Sequence, residues 1–278
     1  MTAGGSDGAP DVAALRRGAH ERAVARPRRP FAGVVTDSAT DSATDSATGS
    51  VRGGVALRRY TPDRRHPGAA AVFLHGGYGL FGDLELQDGW CRRAAEALGV
   101  VVLAVDYRLA PEATLDDAVA DALAAVDLLA AEGLDRLYLD GDSAGGAVAV
   151  LAAARTARPL AGLLLTNPNL DLSLETYDDA LPGGPGRELS AYAMRTWTGV
   201  EPADAPRLHR SARGLPPTLV AVGELDSLRP EARALADSCR REGVPCRLVE
   251  LPGAEHGFVG TEHAGEVLAG AAAFFGLG

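Results

Sequence analysis

Gly141-Asp142-Ser143-Ala144-Gly145 fits the pattern G-x-S-x-G, in which a serine sits on a tight strand-to-helix turn and small neighbours let that turn pass close to the chain around it. The chemistry on offer is nucleophilic attack by the serine oxygen. Alone the pentapeptide says little in a chain with 34 glycines, because ordinary Gly-rich turns meet it by chance. Its setting says more: residues 134–140 are strand-like, and Ala144 opens an alanine-rich helical stretch, which is the context such a turn requires.

A serine hydroxyl is hardly ionised at neutral pH and needs a base. Six histidines compete. His20, His66 and His209 lie in polar stretches and read as solvated, while His263 rides the last predicted helix. His256 instead follows the apolar run 247–251 in the loop Pro252-Gly253-Ala254-Glu255-His256-Gly257-Phe258. That loop leaves a strand at the carboxyl edge of a sheet, where catalytic loops gather, so His256 is the expected general base. The acid that orients the base should come from a different strand end, in the chain order serine, acid, histidine. Asp226 meets this, directly after the run 218–222; Glu224 competes, since either carboxylate could hold the imidazole tautomer. Backbone amides must then stabilise the oxyanion. His75-Gly76-Gly77 follows the run 69–74 and Ala144 follows the nucleophile, so both are expected to contribute. His75 is expected to pin its loop by a structural hydrogen bond rather than to act as base.

The elements that must position these residues are legible as apolar, β-branched runs at 31–35, 55–60, 69–74, 100–107, 134–139, 160–166, 218–222 and 247–251, bounded by Gly, Pro and Asp. Helix-period stretches separate most of them: 84–98, 115–131, 144–157, 230–242 and 262–275. About eight strands in this order predict an α/β fold with a mostly parallel, twisted sheet and helices on both faces. Residues 171–215 break the rhythm, with one predicted helix at 188–197, and read as a cap insertion. The tetrapeptide Thr36-Asp37-Ser38-Ala39 recurs at 40–43 and 44–47; too polar to order itself, it reads as a dispensable tandem expansion in a tolerant surface loop rather than an interaction tether or phosphorylation target. It would divide an N-terminal cap helix at 11–25 from the main domain, giving 1–50 as cap helix plus repeat and 51–278 as the principal domain.

The chain carries 278 residues, a net charge of -10 and 46% hydrophobic residues, enough for one large core. Acidic residues are spread along it without a basic block, which argues against a nucleic-acid partner. No run reaches the length of a membrane span, and residues 1–10 lack the apolar stretch of a signal peptide; the expectation is a soluble, cytoplasmic protein with no membrane partner. Cys91, Cys239 and Cys246 form no CxxC pair and have no histidine at ligand spacing, so neither a disulfide framework nor a metal site is expected. No cofactor is implied.

Taken together, His75-Gly76-Gly77, the run 106–112 (Asp-Tyr-Arg-Leu-Ala-Pro-Glu), the stretch 141–146 around Ser143, Asp226 before Ser227-Leu228, and His256-Gly257-Phe258 resemble the bacterial hormone-sensitive-lipase family of esterases, over residues 51–278. The resemblance implies an eight-stranded α/β-hydrolase sheet, a cap built from the N-terminal region and the insertion, and hydrolysis of small-molecule esters with short to medium acyl chains. It implies Ser143, Asp226 and His256 as catalytic residues and Gly76, Gly77, Tyr78 and Ala144 as the oxyanion hole. Tyr78 departs from the family, which has a glycine there; its amide can serve if its φ is negative, and its ring is expected to line the acyl pocket. Residues 106–112 are structural in that family, and an Arg108–Glu112 ion pair is the local reading. Two other functions use the same residues. One is acyl transfer, lactonisation or cyclisation; the other is ligand binding by an inactive relative, which the presence of all three catalytic residue types opposes. A homodimer is compatible with the sequence.

Overall fold

The computed structural model describes residues 9–40, 43–44, 51–52 and 54–278. Asp11 accepts the Ala14 amide at 2.9 Å and so caps helix α1, Val12–Val24. Strands β1 (Gly33–Ala39), β2 (Ala43–Thr44), β3 (Val51–Arg52), β4 (Ala56–Pro62) and β5 (Ala69–Leu74) follow. Helix α2 (Asp88–Leu98), β6 (Val101–Val105), α3 (Leu115–Ala131), β7 (Arg136–Asp142), α4 (Ala144–Arg155) and β8 (Leu160–Thr166) carry the chain to the insertion. Its helix is α5 (Arg187–Thr198). Strand β9 (Thr218–Gly223), α6 (Arg229–Glu242), β10 (Cys246–Leu251) and α7 (His263–Phe275) complete the order.

Eight strands form one sheet in the order β1-β4-β6-β5-β7-β8-β9-β10. The β1/β4 and β4/β6 pairs are antiparallel and the remaining pairs parallel, as expected for this α/β class. Every residue of β5, β6 and β9 is buried, because helices cover both faces of a parallel sheet and leave no face for water. One core layer lies under α3, α4 and α6, the other under α2 and α7.

Several local readings need correction. The first repeat unit, Thr36 to Ala39, belongs to β1 rather than to a dispensable surface loop. An edge strand needs only backbone pairing to β4, and Asp37 adds a bidentate bond to the buried guanidinium of Arg58, at 2.7 and 2.9 Å. Deleting 36–47 would remove that half of the strand. The later repeat units fall partly outside the described residues. Helix α2 starts four residues later than predicted, because Asp83 Oδ1 accepts the amides of Glu85 and Leu86 and folds that stretch into a turn. Arg108 pairs with Asp117 and Asp121 at 2.9 and 2.8 Å, not with Glu112. Glu112 instead takes Arg16 of α1, which also donates to the carbonyls of Leu80 and Ala110 at 2.9 and 2.8 Å. His209 is buried, not solvated, where its turn packs on α6 and its carbonyl accepts from Ser238. Among the described residues, no helix is long and apolar enough to cross a membrane.

Candidate active site

The carboxyl ends of β5, β7, β9 and β10 converge, and the sequence-predicted residues meet there. Ser143 sits between β7 and α4 at φ 51°, ψ −116°, a conformation that side chains rarely adopt. Three backbone bonds hold it: its amide donates to Thr166 at 2.9 Å, and its carbonyl accepts from Gly146 and Asn169, each at 2.9 Å. The turn comes so close to β5 that a Cβ on Gly145 would lie 2.0 Å from the Leu74 carbonyl oxygen. Glycine is therefore required by contact, not only by pattern.

Asp226 is fully buried. Its Oδ1 accepts the Leu228 amide at 2.9 Å, and its Oδ2 lies 2.8 Å from His256 Nδ1. A carboxylate there makes Nδ1 the protonated nitrogen, which leaves Nε2 as an acceptor 2.9 Å from Ser143 Oγ. Glu224, the competing acid, is exposed and accepts the Gly253 amide at 2.8 Å instead. Burial lowers the His256 pKa, but the charge and hydrogen bond of Asp226, helped by the charge of Asp142, outweigh it and leave the imidazole above its ordinary 6.5.

His75 is buried, with Nδ1 2.7 Å from the Gly76 carbonyl. Tyr107 stacks on it at 4.3 Å between centroids and donates its hydroxyl to the His75 carbonyl at 2.6 Å. This is the pinning role expected of His75, and it gives the run 106–112 a task at the site. Gly77 turns the loop at φ 121°, where a Cβ would strike the Phe81 carbonyl at 1.9 Å.

The amide of Gly76 is not free for an oxyanion, because it donates to Gln87 Oε1 at 2.9 Å. Gly76 thus shapes the loop and leaves Gly77, Tyr78 and Ala144, whose amides have no protein acceptor among the described residues. Tyr78 adopts φ 63° rather than a negative value, a strain on the order of 1 kcal/mol or more for a residue with a Cβ. Its ring lies 5.7 Å from that of Phe81, and its hydroxyl oxygen accepts the Gly186 amide at 3.1 Å. The insertion is thereby tied to the oxyanion loop. A second tie runs from the His256 amide to the Gly183 carbonyl, at 2.7 Å.

Two supporting residues were not legible in the sequence. Gln87, just before α2, also donates Nε2 to Asp142 Oδ2 at 2.7 Å, and Thr166 donates to Oδ1 at 2.6 Å. Gln87 therefore couples the oxyanion loop to the nucleophile turn across 55 residues. Asn167, buried after β8 at φ 43°, orients its amide nitrogen to Asp226 Oδ2 at 3.0 Å and its oxygen to the Gly257 amide at 3.2 Å. Only Asp142 carried a signal, by standing inside the serine pentapeptide.

Ser143 and His256 open onto a cavity of about 860 Å³, within the size range of small-molecule sites. Tyr78, Phe81, Gln87 and Trp90 line it from the core, and residues 23–24 and 26–29 close it from the N-terminal side. The 171–215 segment does not contribute lining residues. Among the described residues, no cluster of His, Cys, Asp and Glu could hold a metal.

Residues 71–260 match the family model described as the alpha/beta hydrolase fold, and they carry Ser143, Asp226, His256 and the loop 75–78. The chain belongs to the α/β-hydrolase family, in its hormone-sensitive-lipase-like branch. Within this family it is 33% identical over 209 residues to Esterase LipI of Mycobacterium tuberculosis, across 68% of this chain and 65% of that protein. The chain thus spans just under two thirds of that relative. It is 33% identical over 228 residues to an ethyl acetate hydrolase of Pseudomonas putida, covering 73% of this chain and 71% of that one. Among solved structures, a hormone-sensitive lipase from a metagenome library superposes with a TM-score of 0.80 at 25% identity, over 96% of this α/β-hydrolase chain and 93% of that one.

Proposed function

We propose that this chain hydrolyses carboxylic esters of short to medium acyl length through an acyl-enzyme on Ser143. The observation that carries the reading is the continuous relay Asp226–His256–Ser143, at 2.8 and 2.9 Å, opening onto a substrate-sized cavity. Ser143 Oγ attacks the ester carbonyl carbon while His256 Nε2 takes its proton, and Asp226 stabilises the imidazolium. The amides of Gly77 and Ala144 receive the oxyanion; the positive φ of Tyr78 departs from the condition under which its amide was expected to join them. As the tetrahedral intermediate collapses, the C–O bond to the alcohol breaks and His256 returns the proton to the leaving oxygen. Water, deprotonated by His256, then attacks the acyl carbon, releasing the carboxylic acid and restoring Ser143. The esterase and ethyl acetate hydrolase activities in the relatives' names support this reading. The N-terminal segment up to residue 29 and residues 171–215 act as a cap on the sheet domain in this proposal, which takes in β1 and so begins before residue 51; the former is the cavity wall and the latter the brace behind Tyr78 and His256.

The test is turnover of 4-nitrophenyl acetate and butyrate by the parent and by Ser143→Ala. Turnover by the parent and its near-complete loss in the variant are expected, whereas a variant within about tenfold of the parent would overturn the nucleophile. A dedicated acyl transferase would consume these esters only when its alcohol acceptor is supplied.

A further inference from the structure

The cavity that holds Ser143 and His256 is also lined by four arginines, Arg26, Arg28, Arg29 and Arg93. Two are neutralised at its rim, Arg28 by Glu85 at 3.0 Å and Arg29 by Glu96 at 3.2 Å. The other two are not. Exposed Arg26 makes no ion pair with any described residue. Arg93, half-buried on α2, gives one N–H to the Val259 carbonyl at 2.9 Å, and its Nε is buried with no acceptor among the described residues. No carboxylate pairs with it among the described residues.

The acids lining the same cavity are already committed. Glu85 holds Arg28 and Arg58, Asp88 holds Arg92 and the Tyr60 hydroxyl, and both oxygens of Asp142 are bonded to Thr166 and Gln87. A chain of net charge -10 thus sets two uncompensated cations in the wall beside its nucleophile. Burying part of a guanidinium without a partner is unfavourable, and Arg29 adds like-charge repulsion on top of burial at Arg93. A carboxylate in the cavity would offset the charge of Arg93, since a guanidinium presents a planar fork of donors that matches it.

We propose that the substrate is an ester that itself carries a carboxylate, and that Arg93, assisted by Arg26 at the rim, binds that carboxylate. The charge can sit on the acyl part, as in a half-ester of a dicarboxylic acid, or on the alcohol part; the recognition chemistry is the same. This inference rests on the ester-hydrolase reading of Ser143.

The experiment compares kcat/KM for charged and neutral partners in two pairs. Mono-(4-nitrophenyl) glutarate against 4-nitrophenyl hexanoate places the charge on the acyl side, and 4-acetoxybenzoate against 4-acetoxyacetophenone places it on the alcohol side. In one pair the anionic ester is expected to be favoured by about tenfold or more, mainly through KM. That charged-to-neutral ratio should fall at least about tenfold in Arg93→Gln, invert in Arg93→Glu and survive in part in Arg93→Lys. Arg26→Gln should lower it severalfold, and raising salt from about 20 mM to about 0.5 M should erode it in the parent. Because Arg93 also touches the Val259 loop, the ratio rather than either rate is the readout. Neutral esters preferred in both pairs, or a ratio indifferent to Arg93→Gln, overturns the inference while leaving ester hydrolysis standing. Turnover of none of the four esters overturns the ester-hydrolase reading itself.

Discussion

The carboxyl ends of β5, β7 and β10 and the N-terminal segment face the same cavity but are held in different ways. At the strand ends, the reacting groups are fixed by buried partners: Leu228 and Asn167 on Asp226, Thr166 and Gln87 on Asp142, Tyr107 on the His75 carbonyl. The N-terminal wall buries only Ala19 and Ala23 of α1. It is attached mainly through solvent-facing pairs, Arg16–Glu112, His20–Asp83, Arg28–Glu85 and Arg29–Glu96. Exposed pairs of this kind contribute little each and weaken with salt. In the proposed mechanism the chemistry is thus built on the rigid part of the fold, while one wall of the cavity lies on a part that can shift at little cost.

The largest effect expected from this contrast lies at the strand ends. Ser143→Ala, His256→Ala and Asp226→Ala should each lower kcat by about 10⁴-fold or more, and double variants should lose little beyond the worst single one, because the three act as a unit. Additive losses would break the comparison by showing independent contributions.

The next effect is in the pH profile. His256 must be neutral to accept the Ser143 proton, and its pKa is raised, so kcat/KM should climb with pH through an inflection above 6.5 and drop about tenfold per unit below it. The charges of Asp226 and Asp142 hold that inflection above the ordinary imidazole value despite burial. An inflection near about 4 would point to a carboxylate base.

A smaller loss is expected at Gln87, which touches no reacting atom but ties the Gly76 amide to Asp142. Gln87→Ala should reduce kcat by about tenfold with KM nearly constant, since an oxyanion loop out of place costs transition-state rather than ground-state binding. Equal changes in kcat and KM across all esters would reduce Gln87 to a packing role. The smallest effect belongs to the wall: Arg16→Ala should lower the melting temperature by only a few degrees, consistent with about 1–2 kcal/mol, and change kcat/KM less than fivefold. A collapse of activity there would mean that α1 is part of the rigid machinery after all.

The same division decides what could be read from sequence. Strand β5 was legible to the residue, because a strand buried on both faces is an unbroken apolar run, and Ser143, Asp226 and His256 each follow such a run. Where a partner lies far along the chain, pattern fails: nothing near Gln87 or Asn167 announces Asp142 or Asp226. The expected Arg108–Glu112 pair failed for the same reason, since proximity in sequence hid Asp121 on one side and Arg16 on the other. Strand β1 was under-read because an edge strand can be as polar as Thr36-Asp37-Ser38-Ala39 when its neighbour supplies both the ladder and Arg58.

The backbone at Ser143 sets heat tolerance and turnover against each other at a single residue. Its φ and ψ cost on the order of 1–3 kcal/mol for any side chain, and only glycine would occupy them freely. Selection for a tougher fold alone would therefore favour glycine at this position. That a serine remains in so uncomfortable a place is a cost carried by the rest of the sheet, which must be stable enough to hold the turn closed.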